Sequence, residues 1–261
     1  MRELRTVGDL AVACADDEVC VWAAQGFTGQ ARAWAIGEDS SGLADAVAVA
    51  SPVLARRDRL ALWGKPDSVA QLAARALALS GPSYRPLARG GLIPALCDRL
   101  PHVVRAATFG WMSAPSAGLE LTGVPVGPDD PYGAPRWLDE PELASVTAFL
   151  TRESPGSYAW PGQPGVGRWA GLDGPDGTLA AVAAQAWCAP TVGHLAGVAV
   201  RARSRGLRLA ARVCGFVAAD LATRCGRVTL MVDADNTPAI RTYRRLGLTY
   251  SAIQAARVAG S

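Results

Sequence analysis

Five arginines, at positions 201, 203, 205, 208 and 212, follow a short apolar run, Leu195–Val200, with no acidic residue among them. Behind them Leu209, Val213, Phe216, Val217 and Leu221 recur at helical spacing, and Val228–Val232 is apolar and β-rich, as a strand buried on both faces would be. A strand, a basic turn, a helix and a second strand are therefore expected. The first N–H groups of a helix have no intrahelical partner, and the helix dipole adds positive potential there. A turn of this kind suits a phosphate or pyrophosphate, and Gly206 lets the backbone turn closely. The competing reading is the solvated basic face of an ordinary helix.

A second helix is expected after the second strand, with Thr237 as its cap, Pro238 at its first position and Gly247 at its end. Ala239, Tyr243 and Leu246 fall on one face, where a tyrosine ordinarily fills a core edge. His194, at the edge of the central strand, titrates in the range a general base needs, but a satisfied structural histidine is the simpler reading. Glu153 and Asp173 are weaker candidates for the base.

These residues carry a resemblance. Arg205-Gly206-Leu207-Arg208-Leu209-Ala210 is similar to the signature (Arg or Gln)-x-x-Gly-x-(Gly or Ala), with Arg208 in place of the middle glycine. Asn236, Ala239, Tyr243 and Gly247 meet a second signature, Asn-x-x-Ala-x-x-x-Tyr-x-x-x-Gly, in full. The chain thereby resembles the GCN5-related N-acetyltransferase (GNAT) superfamily, closely over its last quarter and more loosely over its C-terminal half. The resemblance implies transfer of an acetyl group from acetyl-CoA to a primary amine, on a small molecule or a peptide. It assigns Gly197, Val198, Ala199 and Val200 to the pantetheine arm and Arg205, Gly206, Leu207, Arg208, Leu209 and Ala210 to the pyrophosphate. Asn236, Ala239 and Tyr243 fall with the cofactor-binding set, and Tyr243 also matches the proposed general acid for the departing thiolate. In ordinary helical geometry Arg208 need not block the phosphates; otherwise its bulk would leave a non-catalytic acyl-CoA-binding or regulatory relative. A homodimer is among the assemblies the resemblance allows.

Composition bounds the rest. A chain of 261 residues, half of them hydrophobic, supports one large or two small domains. No apolar run is long enough to span a membrane, and MRELRTVGDL is charged rather than signal-like. A net charge of +3 with the arginines gathered at one turn argues against a nucleic-acid binder. No GxGxxG follows a strand and no GK[ST] is present, which disfavours Rossmann and P-loop readings. Six cysteines without a CxxC pair point to a reducing cytoplasm, and two distant histidines, His102 and His194, give no support for a metal site.

Before the basic turn, β-like runs are expected at Val19–Phe27, Arg32–Ile36, Ala46–Ala50 and Arg59–Trp63. A helix over Asp67–Leu79, capped by Asp67 or Ser68 and closed by Gly81-Pro82, precedes a shorter one over Leu92–Leu100 and a strand over His102–Trp111. Ser113–Arg136 reads as a connecting loop, functional or at a domain boundary, and Trp137–Arg152 as a helix. Tyr158, Trp160 and Trp169 either line a pocket or cover a core edge. Strands at Arg168–Leu172 and Thr178–Trp187, joined by the turn Asp173–Gly177, feed the central strand in the order β-β-β-α-β-α, and Leu248–Val258 closes the sheet. The fold expected is α/β (α+β): a GNAT-like mixed, mostly antiparallel sheet flanked by helices in residues 113–261. An N-terminal α/β companion domain occupies residues 1–112, a degenerate GNAT-like half being one form it could take.

Overall fold

The computed structural model describes residues 1–120 and 130–260. Two compact units divide the chain: Met1–Trp111 with Ala189–Val192 and Ser251–Ser261, and Met112–Cys188 with Gly193–Tyr250. A boundary at 112/113 keeps the closing strand with the second half of the chain; the compact units group it with the first.

The first unit runs β1 (Arg2–Leu4), α1 (Val7–Ala13), α2 (Glu18–Ala24), β2 (Arg32–Ile36), β3 (Ala46–Leu54), β4 (Arg57–Gly64), α3 (Pro66–Ser80), β5 (Arg85–Arg89), α4 (Leu92–Arg99) and most of β6 (Val103–Pro115). The strand expected over Val19–Phe27 is instead the helix α2. Asp17 caps it by accepting the N–H groups of Val19 and Cys20, each at 3.0 Å. Every residue from Val19 to Ala24 is buried, so the helix has no polar stripe to betray its period. α3 starts at Pro66, ahead of the expected caps, because the fixed φ of proline suits the first helical position. Val69, Leu72 and Ala76 of α3 pack with Trp34, Leu60 and Ile93 in this unit's core.

The second unit runs β7 (Arg136–Trp137), α5 (Leu143–Glu153), β8 (Val166–Asp173), β9 (Leu179–Ala186), β10 (Gly193–Val200), α6 (Leu209–Cys225), β11 (Arg227–Asp233), α7 (Thr237–Arg245) and the start of β12 (Thr249–Val258). α5 begins later than expected. Arg136 and Trp137 pair with β8, and the helix waits for a capping box between Asp139 and Glu142. The loop expected over Ser113–Arg136 is shortened by β6, which runs on to Pro115, and by a 3-10 turn at Ser116–Gly118; residues 121–129 lie outside the described residues. Val213, Val217 and Leu221 of α6 pack on Ala181 and Ala183 of β9, Leu195 of β10 and Leu230 of β11. The small side chains of β9 let that strand stay buried along its whole length.

Each unit is a mixed, mostly antiparallel sheet flanked by helices, and the order of elements repeats. β2-β3-β4-α3-β5-α4-β6 has its counterpart in β8-β9-β10-α6-β11-α7-β12. In both, two antiparallel pairings lead to one parallel pair. β4 pairs with β5 at Arg59–Ala61, and β10 with β11 at Gly193–Leu195. In the first unit, residues 253–255 of β12 pair antiparallel with 87–89 of β5, so a late strand completes the early sheet.

Gly247 follows α7 in the left-handed region, at φ +89°, and a Cβ there would lie 2.2 Å from the carbonyl oxygen of Gly118. The backbone at Glu120 also donates to Leu246 O at 3.1 Å, so the two segments lie too close to separate cheaply. Gly247→Ala should therefore lower stability by about 2 kcal/mol or more, combining left-handed strain with the clash. Chemical denaturation of both forms measures it.

Candidate functional site: a basic groove beside helix α6

A groove of about 1140 Å³ lies between α6 and α7. Its walls include Val200, Arg205, Gly206, Arg208, Leu209 and Ala210, so the end of β10 and the start of α6 meet there. α7 contributes Arg241 and Arg245, and the middle of α6 contributes Gly215 and Phe216.

The turn from Arg201 to Arg212 is fixed by ionic and polar partners. Arg201 is buried; it donates to the Asp176 carboxylate at 3.0 Å and to Thr178 Oγ1 and Leu179 O. Arg203 also pairs with Asp176, whose carboxyl is held well below its ordinary range by Thr178 first and then by Arg201. Arg212, with a side chain 4% exposed, donates to Asp130 at 3.1 Å and to Gly133 O. Glu153 accepts the N–H of Ala202 at 2.8 Å, and the Tyr132 hydroxyl donates to Ser204 Oγ at 3.3 Å. The five guanidinium groups expected to face a ligand are thus divided. Arg201, Arg203 and Arg212 bind internal acceptors, while Arg205 and Arg208 are exposed on the groove.

Arg208 is not in helical geometry. It is the N-cap of α6, at φ 58° and ψ 16°, in the left-handed region that glycine occupies without strain. The arginine therefore keeps the backbone path of the signature glycine and adds a side chain to it. Gly206, at φ +83°, has nothing near its Cα that a Cβ would meet.

The remaining site candidates stand apart from the groove's lining. Gly197, at φ +64°, lies in a β-bulge of β10 between Ala196 and Ala199, and a Cβ on it would sit 2.5 Å from the Trp169 ring. Trp169 is thus a core residue packed on the bulge. Tyr158 is exposed, and Trp160 donates to Ser157 O at 2.7 Å. Val198 and Ala199 continue β10, and Leu207 is exposed at the tip of the turn. Asn236, rather than Thr237, caps α7, its side chain accepting the N–H of Ala239 at 3.2 Å. Tyr243 is buried in the second unit's core, where burial, and then Cys214, hold its phenol protonated well above its ordinary range.

His194 is 2% exposed, and its Nδ1 lies 3.0 Å from Thr229 Oγ1. The Thr229 hydroxyl also lies 3.0 Å from Gly193 O, so it bridges the imidazole and the backbone of β10. Burial pushes its pKa down to about 3, which makes it a weak base. Glu153 is occupied by Arg152 and the Ala202 N–H, and Asp173 by Arg136 at 3.1 Å.

Sequence reasoning missed Arg241 and Arg245, whose four-residue spacing after Pro238 was the available signal. It also missed Asp130, Tyr132 and Asp176, which are distant in sequence from the turn they hold and carry no local signal.

Comparison with known proteins agrees with this architecture. Residues 176–258 match the family model described as FR47-like protein. A GCN5-related N-acetyltransferase from Kribbella flavida superposes with a TM-score of 0.58 at 17% identity, over 83% of this chain and 88% of that one. A GCN5-related N-acetyltransferase-like protein from Streptococcus suis gives 0.55 at 13% identity, over 96% and 97% of the two chains. A search of curated protein sequences returned no match. The fold is that of the GCN5-related N-acetyltransferases, and the resemblance read from the two signatures holds. Its doubled form is shared by a tandem GNAT protein from the clavulanic acid biosynthesis pathway, with a TM-score of 0.54 at 13% identity over 98% of this chain and 96% of that one. Among the described residues no helix is long and apolar enough to cross a membrane.

Two measurements follow from this geometry. Arg208→Gly should leave the thermal midpoint unchanged or raise it, since release from the left-handed region offsets the added chain entropy, each about 1 kcal/mol. His194 has a folded pKa of about 3 against an ordinary 6.5, so the unfolded chain binds its proton first as pH falls. The stability that this neutral imidazole contributes is full above about pH 6.5 and is lost toward pH 3, by up to about 1.4 kcal/mol per pH unit. Denaturation of wild type and His194→Gln at pH 7, 6 and 5 should show the gap between them closing as the solution is acidified.

Proposed function

We propose that the second unit binds an acyl-CoA, acetyl-CoA in the first instance, and transfers its acyl group to a primary amine. The observation that carries this is the groove at the start of α6, where Arg205, Gly206 and Arg208 meet the unpartnered N–H groups of the first helical turn. That arrangement occurs in a chain with the GNAT fold and both signatures, one with Arg208 substituted.

In this reading the amine of a small molecule or peptide arrives neutral and its nitrogen attacks the thioester carbonyl. The carbon–sulfur bond breaks, an amide forms, and the thiolate departs with a proton. Tyr243 matches the family's acid for that step; burial keeps its phenol protonated but also makes it a weaker proton donor, and it stands behind the groove's lining rather than in it. His194, neutral and bound to Thr229, is better suited to holding β10 against β11 than to deprotonating the amine. Water or an acceptor-side carboxylate takes that proton. The six cysteines are free thiols, which fits a reducing compartment.

One observation favours a second reading, a relative that binds acyl-CoA without turning it over: a charged side chain stands where the signature has glycine. Calorimetry and turnover together separate the two. Acetyl-CoA should bind with micromolar or better affinity and Arg205→Ala should weaken it at least tenfold, about 1.4 kcal/mol. With an amine panel, Tyr243→Phe should lower kcat roughly a hundredfold or more while leaving acetyl-CoA affinity within about twofold. Binding without turnover on any amine would favour the second reading, and no binding would sink both.

A further inference from the structure

The cations of the groove fall into two sets on different elements. Arg205 and Arg208 stand at the turn into α6, while Arg241 and Arg245 stand on α7. The α7 pair is four residues apart, so both side chains project from the same face, about 6 Å apart at Cβ. Helix α7, TPAIRTYRR, contains no acid, and among the described residues neither arginine is in an ion pair. The favourable interaction of cations with a helix C-terminus would serve any face of α7 equally. Arg244, on the same helix, lines no part of the groove and lies over the Tyr250 ring at 6.0 Å. Apolar lining comes from Gly215, which presents no side chain, and from Phe216 and Leu246, while Thr242 and, among the described residues, the single acid Glu120 also line the groove.

A ligand matching these two sets carries two anionic groups joined by a body that can rest on Phe216 and Leu246. Resting on the reading of acyl-CoA as the ligand, we propose that Arg241 and Arg245 bind the monophosphate on the ribose 3′ position. The pyrophosphate would take the turn at Arg205 and Arg208, and the adenine the apolar wall at Phe216. The site would then discriminate coenzyme A from its 3′-dephospho form, through a pair of residues that neither signature includes.

The test is calorimetric titration of the full chain with CoA, 3′-dephospho-CoA and adenosine 3′,5′-bisphosphate at one ionic strength. Wild type should bind dephospho-CoA at least tenfold more weakly than CoA, and should bind the bisphosphate measurably. The double substitution Arg241→Ala with Arg245→Ala should weaken CoA at least tenfold and dephospho-CoA less than twofold, erasing the preference. Arg244→Ala removes one charge from the same helix outside the groove and should preserve the preference; thermal midpoints check that each variant folds. Equal affinity of wild type for the two coenzymes, with Arg205→Ala weakening both, would overturn the α7 assignment and leave the acyl-CoA reading standing. Loss of both coenzymes to the same extent in the double variant would also overturn it. Failure of wild type to bind either coenzyme would overturn the acyl-CoA reading and the assignment with it.

Discussion

A guanidinium taken out of water has to be met by a carboxylate or by carbonyls, and the turn between β10 and α6 is built on that requirement. Arg201 and Arg212, at its two ends, are buried and bound to Asp176, Asp130 and main-chain oxygens. Glu153 ties down Ala202 between them. With both ends fixed, the middle of the turn is held in one conformation, including the left-handed backbone at Arg208. Strain of this kind persists only where the surroundings over-determine it. Two of the turn's five arginines are thus its supports, and the entropy of ordering the turn is lost on folding.

The two units show how little topology alone says about chemistry. Both repeat the same succession of strands and helices around one parallel pair, yet the helix that follows the parallel strand begins differently in each. α6 starts with arginines and free N–H groups. α3 starts with Lys65 engaged by Asp45, Pro66 with no N–H to offer, and Asp67 adding negative charge to the first turn. β10 is bulged at Gly197, whereas β4 keeps its register with β3 without interruption from Ala46 to Ser51. The fold recurs, but the arginine-rich turn and the uncapped helix start belong to the second unit.

How much was legible in the sequence depended on whether the signal was local. The strands at Arg32–Ile36, Arg59–Trp63 and Val228–Val232, the helices α3 and α6, and the hairpin around Asp173–Gly177 all announced themselves by periodicity and turn residues. α2 did not, because burial on all sides erased its polar face. At the site, the residue types and their spacing located the turn at Arg205–Ala210. The sequence could not show that Arg201, Arg203 and Arg212 are bound internally, since their partners Asp130 and Asp176 come from other loops. Nor could spacing distinguish a helical Arg208 from one held at positive φ.

The placement of β12 bears on how the molecule is made. The first unit lacks the strand beside β5 until residues 251–258 are present, and those residues are translated after all of the second unit. An N-terminal domain ordinarily folds as it leaves the ribosome. Here β5 must wait with an unpaired edge for more than half the chain to be synthesised, and its closure is a contact of very long sequence separation, slow by nature and open to mispairing in the interval. The division of labour in the folded protein therefore runs against the order of its synthesis: the half that emerges first is finished last.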